Sequence, residues 1–377
     1  MIERKDSRIR VLVIAPSARI LGGQALQARR LLAYLEREPS LAPAFQPLDL
    51  PLPSAVERIR FLRTVIRFLL FLPVLLWRVP RYDVIHAFAA SYWSYTLWTM
   101  PSIIVGRLFG KKVVVHYHSG EAEDHLAHWR SAIPSLMLAH EIVVPSQYLV
   151  DVFARFGLRS RAIFNILDTA PLRYRQRGRL RPVFLTNRGL EPLYNVGCVL
   201  RAFAIVQRRY PEASLTVAHD GSCRASLEAL AAELGLVNTR FVGQVAPEKM
   251  PDLYDASDIY LTSPDLDCMP GSILECFASG LPVVATKAGG IPYIVEHERT
   301  GLLVNCNDHQ ALAECALWLL EDGKLASRLA ERAHAECVKY AAGPVIRQWV
   351  ELYHRLAGRS LAPTSAPAEA HEETVLR

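Results

Sequence analysis

The chain contains the sequence Asp267-Cys-Met-Pro-Gly-Ser-Ile-Leu-Glu275, which continues as Cys-Phe-Ala-Ser-Gly280 into the apolar Leu281-Pro-Val-Val-Ala-Thr286 and then Gly289-Gly290. Pro270 and Gly271 suit the start of a helix, and Ser272 is a candidate cap or first-turn donor. The apolar residues that follow predict a helix and then a buried strand. This order of elements is typical of an α/β protein.

The start of the predicted helix is a candidate phosphate site. The backbone N–H groups in a first turn, here Gly271, Ser272, Ile273 and Leu274, include donors without intrahelical acceptors, and the helix dipole favours an anion there. The carboxylates of Asp267 and Glu275 can accept hydrogen bonds from hydroxyls on either side of that phosphate. Sugar, diphosphate and ribose follow one another in this order in a nucleotide-sugar. From the residues alone, a surface turn with two solvated acids remains an equal alternative.

Size and composition favour a two-domain protein in a reducing compartment. The chain has 377 residues, enough for two α/β domains, and 43 basic against 37 acidic residues give a net charge of +6. Its seven cysteines all lie in the second half without a Cys-x-x-Cys pair or Cys/His spacing for a metal. No secretory hydrophobic region precedes the first strand, so we expect a cytoplasmic protein without a metal site.

Apolar runs alternate with helical patterns throughout the chain. Predicted strands of the first array are 9–15, 83–86, 112–118, 141–145 and 163–165, and those of the second are 183–186, 214–218, 239–242, 259–262 and 282–285. A final helix is predicted from about Ala342 to Ala357. We therefore expect two doubly wound, Rossmann-like domains, residues 1–170 and 171–345, with a ligand between the carboxyl ends of the strands. The segment 171–182 reads as a basic linker, and residues 359–377 as a disordered tail.

The first strand leads to a glycine-containing loop. The turn from Pro16 to Leu21 ends at Gly22-Gly23, and a helix is predicted from Gln24 to Glu36. The loop lacks the G-x-G-x-x-G spacing, which argues against a nicotinamide or flavin cofactor.

The segment from Asp267 to Gly290 resembles the signature of glycosyltransferase family 4, whose members have the GT-B fold, two Rossmann-like domains facing across a cleft. In that family two glutamates precede a Leu-Pro-Val-Val-type strand and a Gly-Gly turn, and the motif order resembles this chain from residue 9 to about 345. The resemblance implies a retaining, metal-independent transfer of a sugar from a nucleotide-sugar donor to a saccharide or lipid-linked acceptor, in polysaccharide or glycolipid biosynthesis. It implies no cofactor and no nucleic acid, and a last helix, residues 346–358, that crosses back onto the first domain.

The resemblance also assigns roles to residues of the donor site. Glu275 would bind the ribose hydroxyls and Asp267 a hydroxyl of the donor sugar. Arg188 and the helix-start amides would hold the diphosphate. His118, which precedes Ser-Gly at a strand end, would reach the donor sugar, and we expect His116 to point to the opposite face of the strand.

Two further segments resemble family motifs. Arg240-Phe-Val-Gly243 would line the nucleotide base, with Phe241 and Gly243 as contacts, although a plain strand end explains these residues nearly as well. Gly22 and Gly23 match the glycine loop on the acceptor side.

Three departures from the family pattern leave a second interpretation open. The first acid is Asp267 instead of Glu, Tyr293 stands where many relatives have an acid, and no Lys follows Arg188 about five residues later. Lys287 or a linker arginine is a candidate replacement for that cation. Without one, the chain would be a degenerate GT-B protein that binds a nucleotide-sugar or a partner enzyme but does not catalyse transfer.

The stretch from Phe61 to Trp77 is unusually apolar. Arg63, Arg67 and Pro73 interrupt it, and it is too short for a membrane span. A buried helix of the first domain is the default prediction. The alternative is a helix that lies in the membrane interface, which its arginines and Trp77 would suit and which would place the protein at the inner face of the membrane.

Overall fold

Strands and helices alternate along the computed structural model, which describes residues 8–17, 19 and 22–360. The strands are β1 (Ile9–Ala15), β2 (Leu41–Pro47), β3 (Val84–Ala89), β4 (Lys112–Tyr117), β5 (Glu141–Val144), β6 (Arg161–Ala162), β7 (Val183–Thr186), β8 (Ser214–Ala218), β9 (Thr239–Gly243), β10 (Ile259–Thr262), β11 (Val283–Thr286) and β12 (Leu302–Val304). The helices are α1 (Gly23–Leu35), α2 (Ser54–Glu57), α3 (Arg60–Arg78), α4 (Tyr92–Ser94), α5 (Met100–Leu108), α6 (Ala122–His128), α7 (Ala132–Leu136), α8 (Gln147–Arg155), α9 (Val196–Arg209), α10 (Arg224–Glu233), α11 (Met250–Ala256), α12 (Gly271–Ala278), α13 (His309–Glu321), α14 (Gly323–Glu336) and α15 (Ala342–Ala357).

The strands form two parallel sheets. The first has the order β2-β1-β3-β4-β5-β6, and the second the order β12-β11-β10-β7-β8-β9. Helices cover both faces, so the central strands are buried along nearly their whole length. Both sheets are doubly wound, as predicted, and the molecule has the two Rossmann-like domains of a GT-B protein. The sequence did not predict β2 or β12.

The order of strands determines where each sheet can bind a ligand. In the second sheet the order reverses between β7 and β10, and in the first between β1 and β3. Loops that leave the carboxyl ends of two such strands diverge to opposite faces, and the crevice between them is where doubly wound sheets bind ligands.

The last helix packs against the first sheet. Helix α15 has the predicted bounds and contacts α1, β1 and β3. Its Trp349 and Tyr353 are buried in the same core cluster as strand residues of the first sheet. Strand β1 and the last described helix therefore lie on the same sheet, whereas the predicted disordered tail lies, from residue 361 on, outside the described residues.

The basic segment between the two arrays is tightly held. Arg175 and Arg181 both form ion pairs with the buried carboxylate of Asp258, directly before β10. Arg177 is 3% exposed and donates hydrogen bonds to the carbonyls of Ser279 (2.6 Å) and Tyr254 (2.8 Å). These three arginines thus anchor the segment on the second domain, although the side chain of Arg181 remains 57% exposed.

Helix α3 corrects the prediction of a buried helix. Only Phe71 and Leu75 of its apolar residues are fully buried, whereas Phe61 is 82% exposed, Leu69 60% and Trp77 64%. The default prediction of burial is therefore wrong for the outer face of this helix. No helix within the described ranges is long and apolar enough to cross a membrane.

Candidate donor-sugar site

The sequence-predicted residues of the second domain meet at the point where its strand order reverses. Arg188 follows β7, and Asp267 lies in the loop that leads from β10 into α12. Because β7 and β10 are neighbours, both loops open at the same edge of the sheet.

Two glycines hold the Asp267 loop in place. The N–H of Gly290 donates to the carbonyl of Asp267 at 2.7 Å. A side chain on Gly289, which has a positive φ of 48°, would collide with the Asp267 carbonyl, and one on Gly290 with that of Cys268. The Gly-Gly turn is therefore required by the close approach of two backbones.

Arg188 and Asp267 form a buried ion pair with each other. Their side chains are 13% and 9% exposed. The guanidinium also donates from Nη1 to Ser272 Oγ at 3.3 Å and lies 4.3 Å from the centre of the Tyr194 ring. Burial alone would lower the pKa of Arg188, but the Asp267 carboxylate outweighs it and the pKa is raised. Arg188, the residue predicted to bind the diphosphate, thus neutralises the charge of Asp267, the residue predicted to bind the donor sugar.

The start of α12 decides between the two roles predicted for Ser272. Pro270 is the N-cap residue and no side chain caps the helix, so Ser272 is a first-turn residue and not the cap. The N–H of Ile273 donates to the carbonyl of Pro270 at 3.2 Å. The side chains of Ile273 and Leu274 are buried in the core, so only their backbone could approach a ligand. Gly271 and Ser272 are the first-turn positions without an intrahelical acceptor.

Two buried tyrosines connect Glu275 to Ser272. Tyr254 donates to Glu275 Oε2 at 2.7 Å and accepts from Asn187 Nδ2 at 2.7 Å. The Tyr260 hydroxyl donates to Asn187 Oδ1 at 2.8 Å and lies 2.9 Å from Ser272 Oγ. Burial and the Glu275 carboxylate raise the pKa of Tyr254 well above its usual value. One hydrogen-bond network therefore runs beneath the site from Glu275 to Ser272.

Glu275 also faces the first domain. Arg30 of α1 lies 3.4 Å from Glu275 Oε1 and donates from Nη1 to the carbonyl of Ile166 at 3.2 Å. The side chains of Arg30 and Glu275 are 16% and 17% exposed. This pair bridges the two domains at the site.

His118 lies at the carboxyl end of β4, across the cleft. A Cβ on Gly120, two residues later, would lie 3.3 Å from Leu266 Cγ and 3.7 Å from Asp267 Cα, so the His118 loop approaches the Asp267 loop. The expectation that His116 points away from His118 is wrong, since their Nε2 atoms are 2.7 Å apart. Residues two apart in a strand share a face.

The predicted base segment lies two strands away from β7, and the predicted acceptor loop lies at the start of α1. Phe241 and Gly243 are on β9, the edge strand, two strand spacings or roughly 10 Å from β7. The carbonyl of Gly243 accepts from the N–H of His219 at 2.7 Å. Gly22 is the N-cap residue of α1 and Gly23 its first residue, and a Cβ on either would meet no atom of the described residues within 4 Å. The turn before them lies partly outside the described residues, at positions 18, 20 and 21.

The three anchored linker arginines cannot replace the missing lysine. Their partner Asp258 precedes β10, whereas Asp267 follows it, so they lie at the opposite edge of the sheet. Lys287 follows the carboxyl end of β11 and is exposed, and it stays a candidate. Tyr293, in place of an acid, donates to Asp151 Oδ2 of α8 at 2.8 Å and so links the domains.

A cavity of about 470 Å³ opens between the domains beside the His118 loop. Its walls include Glu121, Glu123 and Asp124 of the first domain and Leu193 and Leu266 of the second. Tyr92, another wall residue, donates to Asp124 Oδ2 at 2.6 Å. In the described part of the chain, no group of three or more His, Cys, Asp or Glu side chains is placed to hold a metal ion.

Sequence reasoning missed four residues of this site: Tyr254, Tyr260, Asn187 and Arg30. Asn187 is adjacent to Arg188 and could have been found from that. The tyrosines lie on α11 and β10 and Arg30 on α1, where nothing local in the sequence distinguishes them from residues of a core or a surface.

The second domain matches a known family. Residues 176–336 match the model of glycosyl transferases group 1. The D-inositol 3-phosphate glycosyltransferase of Corynebacterium urealyticum is 33% identical over 190 residues, which are 48% of this chain and 44% of the relative. The GDP-mannose-dependent alpha-(1-6)-phosphatidylinositol monomannoside mannosyltransferase of Mycobacterium tuberculosis strain H37Rv is 29% identical over 161 residues, 41% of this chain and 42% of the relative. The matches thus span less than half the length of these curated relatives.

The fold of the whole chain has a solved counterpart. The structure of Anabaena HepE in complex with UDP and glucose is similar with a TM-score of 0.75 and 18% identity, covering 92% of this chain and 100% of HepE. At that identity the similarity concerns the fold alone. Family 4, the narrower prediction, is compatible with these findings. Residues 176–336 of this chain thus match the model of glycosyl transferases group 1, and the chain as a whole has a GT-B fold.

Proposed function

We propose that this protein transfers a sugar from a nucleotide-sugar donor to a saccharide or lipid-linked acceptor, with retention at the anomeric carbon. The observation that carries the proposal is the meeting of Arg188, the start of α12 and Glu275 at the crevice of the second sheet. A permanent cation and free amides suit a diphosphate, and a carboxylate one helical turn further suits ribose hydroxyls.

Donor binding would exchange the partners of the buried ion pair. A diphosphate brings negative charge to Arg188, which keeps its own charge at any physiological pH. Asp267 would then release the guanidinium and accept a hydrogen bond from a sugar hydroxyl. The Arg188 guanidinium and the N–H groups at the start of α12 would also stabilise the negative charge that develops on the diphosphate as the bond from the anomeric carbon breaks.

The similar proteins support this assignment. HepE was solved with UDP and glucose, and the relatives described above are named as a glycosyltransferase and a mannosyltransferase. Among these relatives are enzymes named for phosphatidylinositol mannoside and lipopolysaccharide core synthesis. We therefore place the reaction in polysaccharide or glycolipid biosynthesis.

The cavity between the domains suits the acceptor. Glu121, Glu123 and Asp124 can accept hydrogen bonds from sugar hydroxyls and would repel a phosphate. Tyr92 and Tyr148 add aromatic surface on which a sugar ring can pack. An uncharged saccharide is the acceptor that we propose for this cavity.

A transfer assay tests the proposal. Wild type, Arg188→Ala and Glu275→Ala are incubated with UDP-, GDP- and ADP-sugars and a panel of saccharide and lipid-linked acceptors. We expect transfer by wild type and its loss in both variants, while Arg209→Ala, an exposed arginine on α9, retains it. Absence of both transfer and donor binding across the panel would refute the proposed function.

The buried Arg188–Asp267 pair also favours a second candidate. It occupies the diphosphate position with an internal carboxylate, and no lysine follows Arg188 to add charge. A protein that binds a nucleotide-sugar without transferring the sugar would show calorimetric binding that depends on Arg188, but no turnover in the same assay.

We also propose that the exposed face of α3 contacts the inner, anionic leaflet of a membrane. Leu62, Val65, Leu69 and Leu76 are exposed at helical spacing along one side, where nothing in the described chain covers them. Arg81 lies at the end of the helix, 4.1 Å from the centre of the Trp77 ring. An apolar stripe beside arginine and tryptophan is typical of interfacial helices.

Vesicle sedimentation tests the membrane contact. The protein should bind vesicles of phosphatidylserine and phosphatidylcholine more strongly than vesicles of phosphatidylcholine alone, and salt should weaken the difference. Leu69→Glu should abolish binding without changing the rate on a water-soluble acceptor. Equal sedimentation of wild type and this variant would contradict the contact.

A further inference from the structure

Three histidines and a tyrosine form a continuous hydrogen-bonded chain from the cleft to the last helix. His118 Nε2 lies 2.7 Å from His116 Nε2, and His116 Nδ1 lies 3.2 Å from His86 Nε2. His86 Nδ1 lies 2.6 Å from the Tyr353 hydroxyl. This chain of hydrogen bonds thus runs from β4 across β3 and ends on α15.

The inner part of the chain is sealed from water. His86 and Tyr353 are 0% exposed and His116 is 4% exposed. The Trp349 ring lies 4.6 Å from that of His86 and 4.8 Å from that of His116. Burial holds the pKa of His86 and His118 at about 3, so these rings are neutral at neutral pH.

Neutral rings allow only two arrangements of protons along the chain. Each neutral imidazole has one N–H, so one end of the chain determines every ring. If Tyr353 donates to His86, then His86 donates to His116, His116 donates to His118 Nε2, and the proton of His118 is on Nδ1. If the order is reversed, His118 donates from Nε2 and its Nδ1 is an acceptor.

The tyrosine selects between these arrangements. His86 Nδ1 is its one recorded hydrogen-bond partner among the residues that the structure describes, so in the reversed order the buried Tyr353 proton would have no acceptor. A buried donor without an acceptor disfavours that order by roughly tenfold or more. We propose that Tyr353 sets the tautomer of His118 through His86 and His116, so that His118 presents an Nδ1–H donor to the cleft.

The proposal makes Tyr353, His86 and His116 positioning residues. His118 is only partly buried, and its Nδ1 has no recorded partner among the described residues, so its N–H is available to a ligand. If the proposed function holds, this N–H donates to an oxygen of the donor sugar. A hydroxyl, an ether oxygen or a carboxylate can accept that bond, whereas a group that can only donate, such as an ammonium, cannot.

Long-range ¹H–¹⁵N spectra of the protein labelled with ¹⁵N-histidine test the tautomer without any ligand. At pH 7.5, His118, assigned by loss of its signals in His118→Gln, should show a pyrrole-type Nδ1 and a pyridine-type Nε2. Free neutral histidine favours the opposite tautomer in water. A pyridine-type Nδ1 on His118 in the wild type would overturn the proposal.

Tyr353→Phe tests the transmission, with Tyr340→Phe as a matched control on another buried tyrosine. We expect the Tyr353 variant to shift the His118 nitrogens toward averaged values, and the control to leave them unchanged. Unchanged His118 nitrogens in a folded Tyr353 variant would overturn the proposal. If this variant does not fold, the wild-type spectrum still decides.

A binding measurement separates this inference from the proposed function. Tyr353→Phe should weaken a nucleotide-sugar by about two- to tenfold, the effect of one hydrogen bond, and leave the nucleoside diphosphate unchanged. An equal loss for both ligands would contradict the role of His118 toward the sugar. If the wild type binds no nucleotide-sugar at all, the proposed function fails, while the tautomer measured by NMR still stands.

Discussion

Replacing Asp267 by asparagine should weaken the folded protein and at the same time strengthen its binding of a diphosphate. The substitution keeps the shape of the side chain but leaves Arg188 as a buried cation without its carboxylate. Breaking a buried pair by removing one partner costs about 3–5 kcal/mol. The Tyr194 ring and Ser272 Oγ remain in contact with the guanidinium, so we expect a loss of about 2–4 kcal/mol in the free energy of unfolding.

The expected gain in affinity for a diphosphate also arises from the loss of the Asp267 carboxylate. In the wild type a diphosphate must displace Asp267 from Arg188, whereas in Asp267→Asn no carboxylate competes for the cation. We expect nucleoside diphosphates to bind roughly tenfold more tightly, corresponding to about 1.4 kcal/mol of the released interaction. Transfer of the sugar should nevertheless fall, because the neutral amide is a weaker acceptor for a sugar hydroxyl.

Urea unfolding and calorimetric titration of UDP, GDP and ADP measure the two effects. Asp265→Asn is the matched control, since Asp265 is exposed in the same loop and bonds only to Asn195 among the described side chains. A folded Asp267→Asn protein with wild-type stability and wild-type nucleotide affinity would refute the reasoning that Arg188 is held by Asp267.

Three further predictions concern other parts of the structure. Glu275→Gln should weaken nucleotide binding by about tenfold in calorimetry, because a charged acceptor for the ribose hydroxyls is lost. Stability should fall with acidification. Burial lowers the folded-state pKa of His86 and His118 to about 3, whereas the unfolded side chains titrate near 6.5. The stabilisation that comes from keeping these two histidines neutral is therefore complete above pH 6.5 and is lost as the pH falls toward 3. Urea unfolding should show this loss as a decrease in the free energy of unfolding of up to about 1.4 kcal/mol per pH unit for each histidine. Trp77→Ser should reduce sedimentation with anionic vesicles by about tenfold, because a largely exposed indole is removed from the apolar face of α3.

Controls for these predictions use residues away from the site. Glu248→Gln, at an exposed position, should leave nucleotide binding unchanged. Unfolding free energies that do not change between pH 7.5 and 5 would contradict the neutral histidine chain. Trp318→Ser, on α13 of the second domain, should leave vesicle binding unchanged, and an equal loss in both tryptophan variants would argue against a specific role of α3.

The alternation of strands and helices was predictable from the sequence, but the side-chain contacts between residues far apart in the sequence were not. Apolar periodicity located most strands within a few residues and α15 with its observed bounds, because these signals are local. The ion pair of Arg188 with Asp267 joins residues 79 positions apart, and the contact of Arg30 with Glu275 spans 245. No local pattern encodes such contacts.

The wrong predictions have physical reasons as well. His116 and His118 share a face because the period of a strand is two residues, which the expectation overlooked. The hydrophobicity of Phe61 suggested burial, but a helix at the edge of a domain leaves one side without a partner. The basic linker was predicted as such, whereas the buried Asp258 that anchors it could be recognised only from the three-dimensional structure.

Calorimetric titration of a nucleotide-sugar into wild type and Arg188→Ala tests whether the crevice between β7 and β10 binds the diphosphate of such a donor. We expect saturable binding of at least one of the UDP-, GDP- and ADP-sugars to the wild type, and at least tenfold weaker binding to the variant, with Arg209→Ala unchanged. Equal affinity in the wild type and a folded Arg188→Ala protein would contradict it.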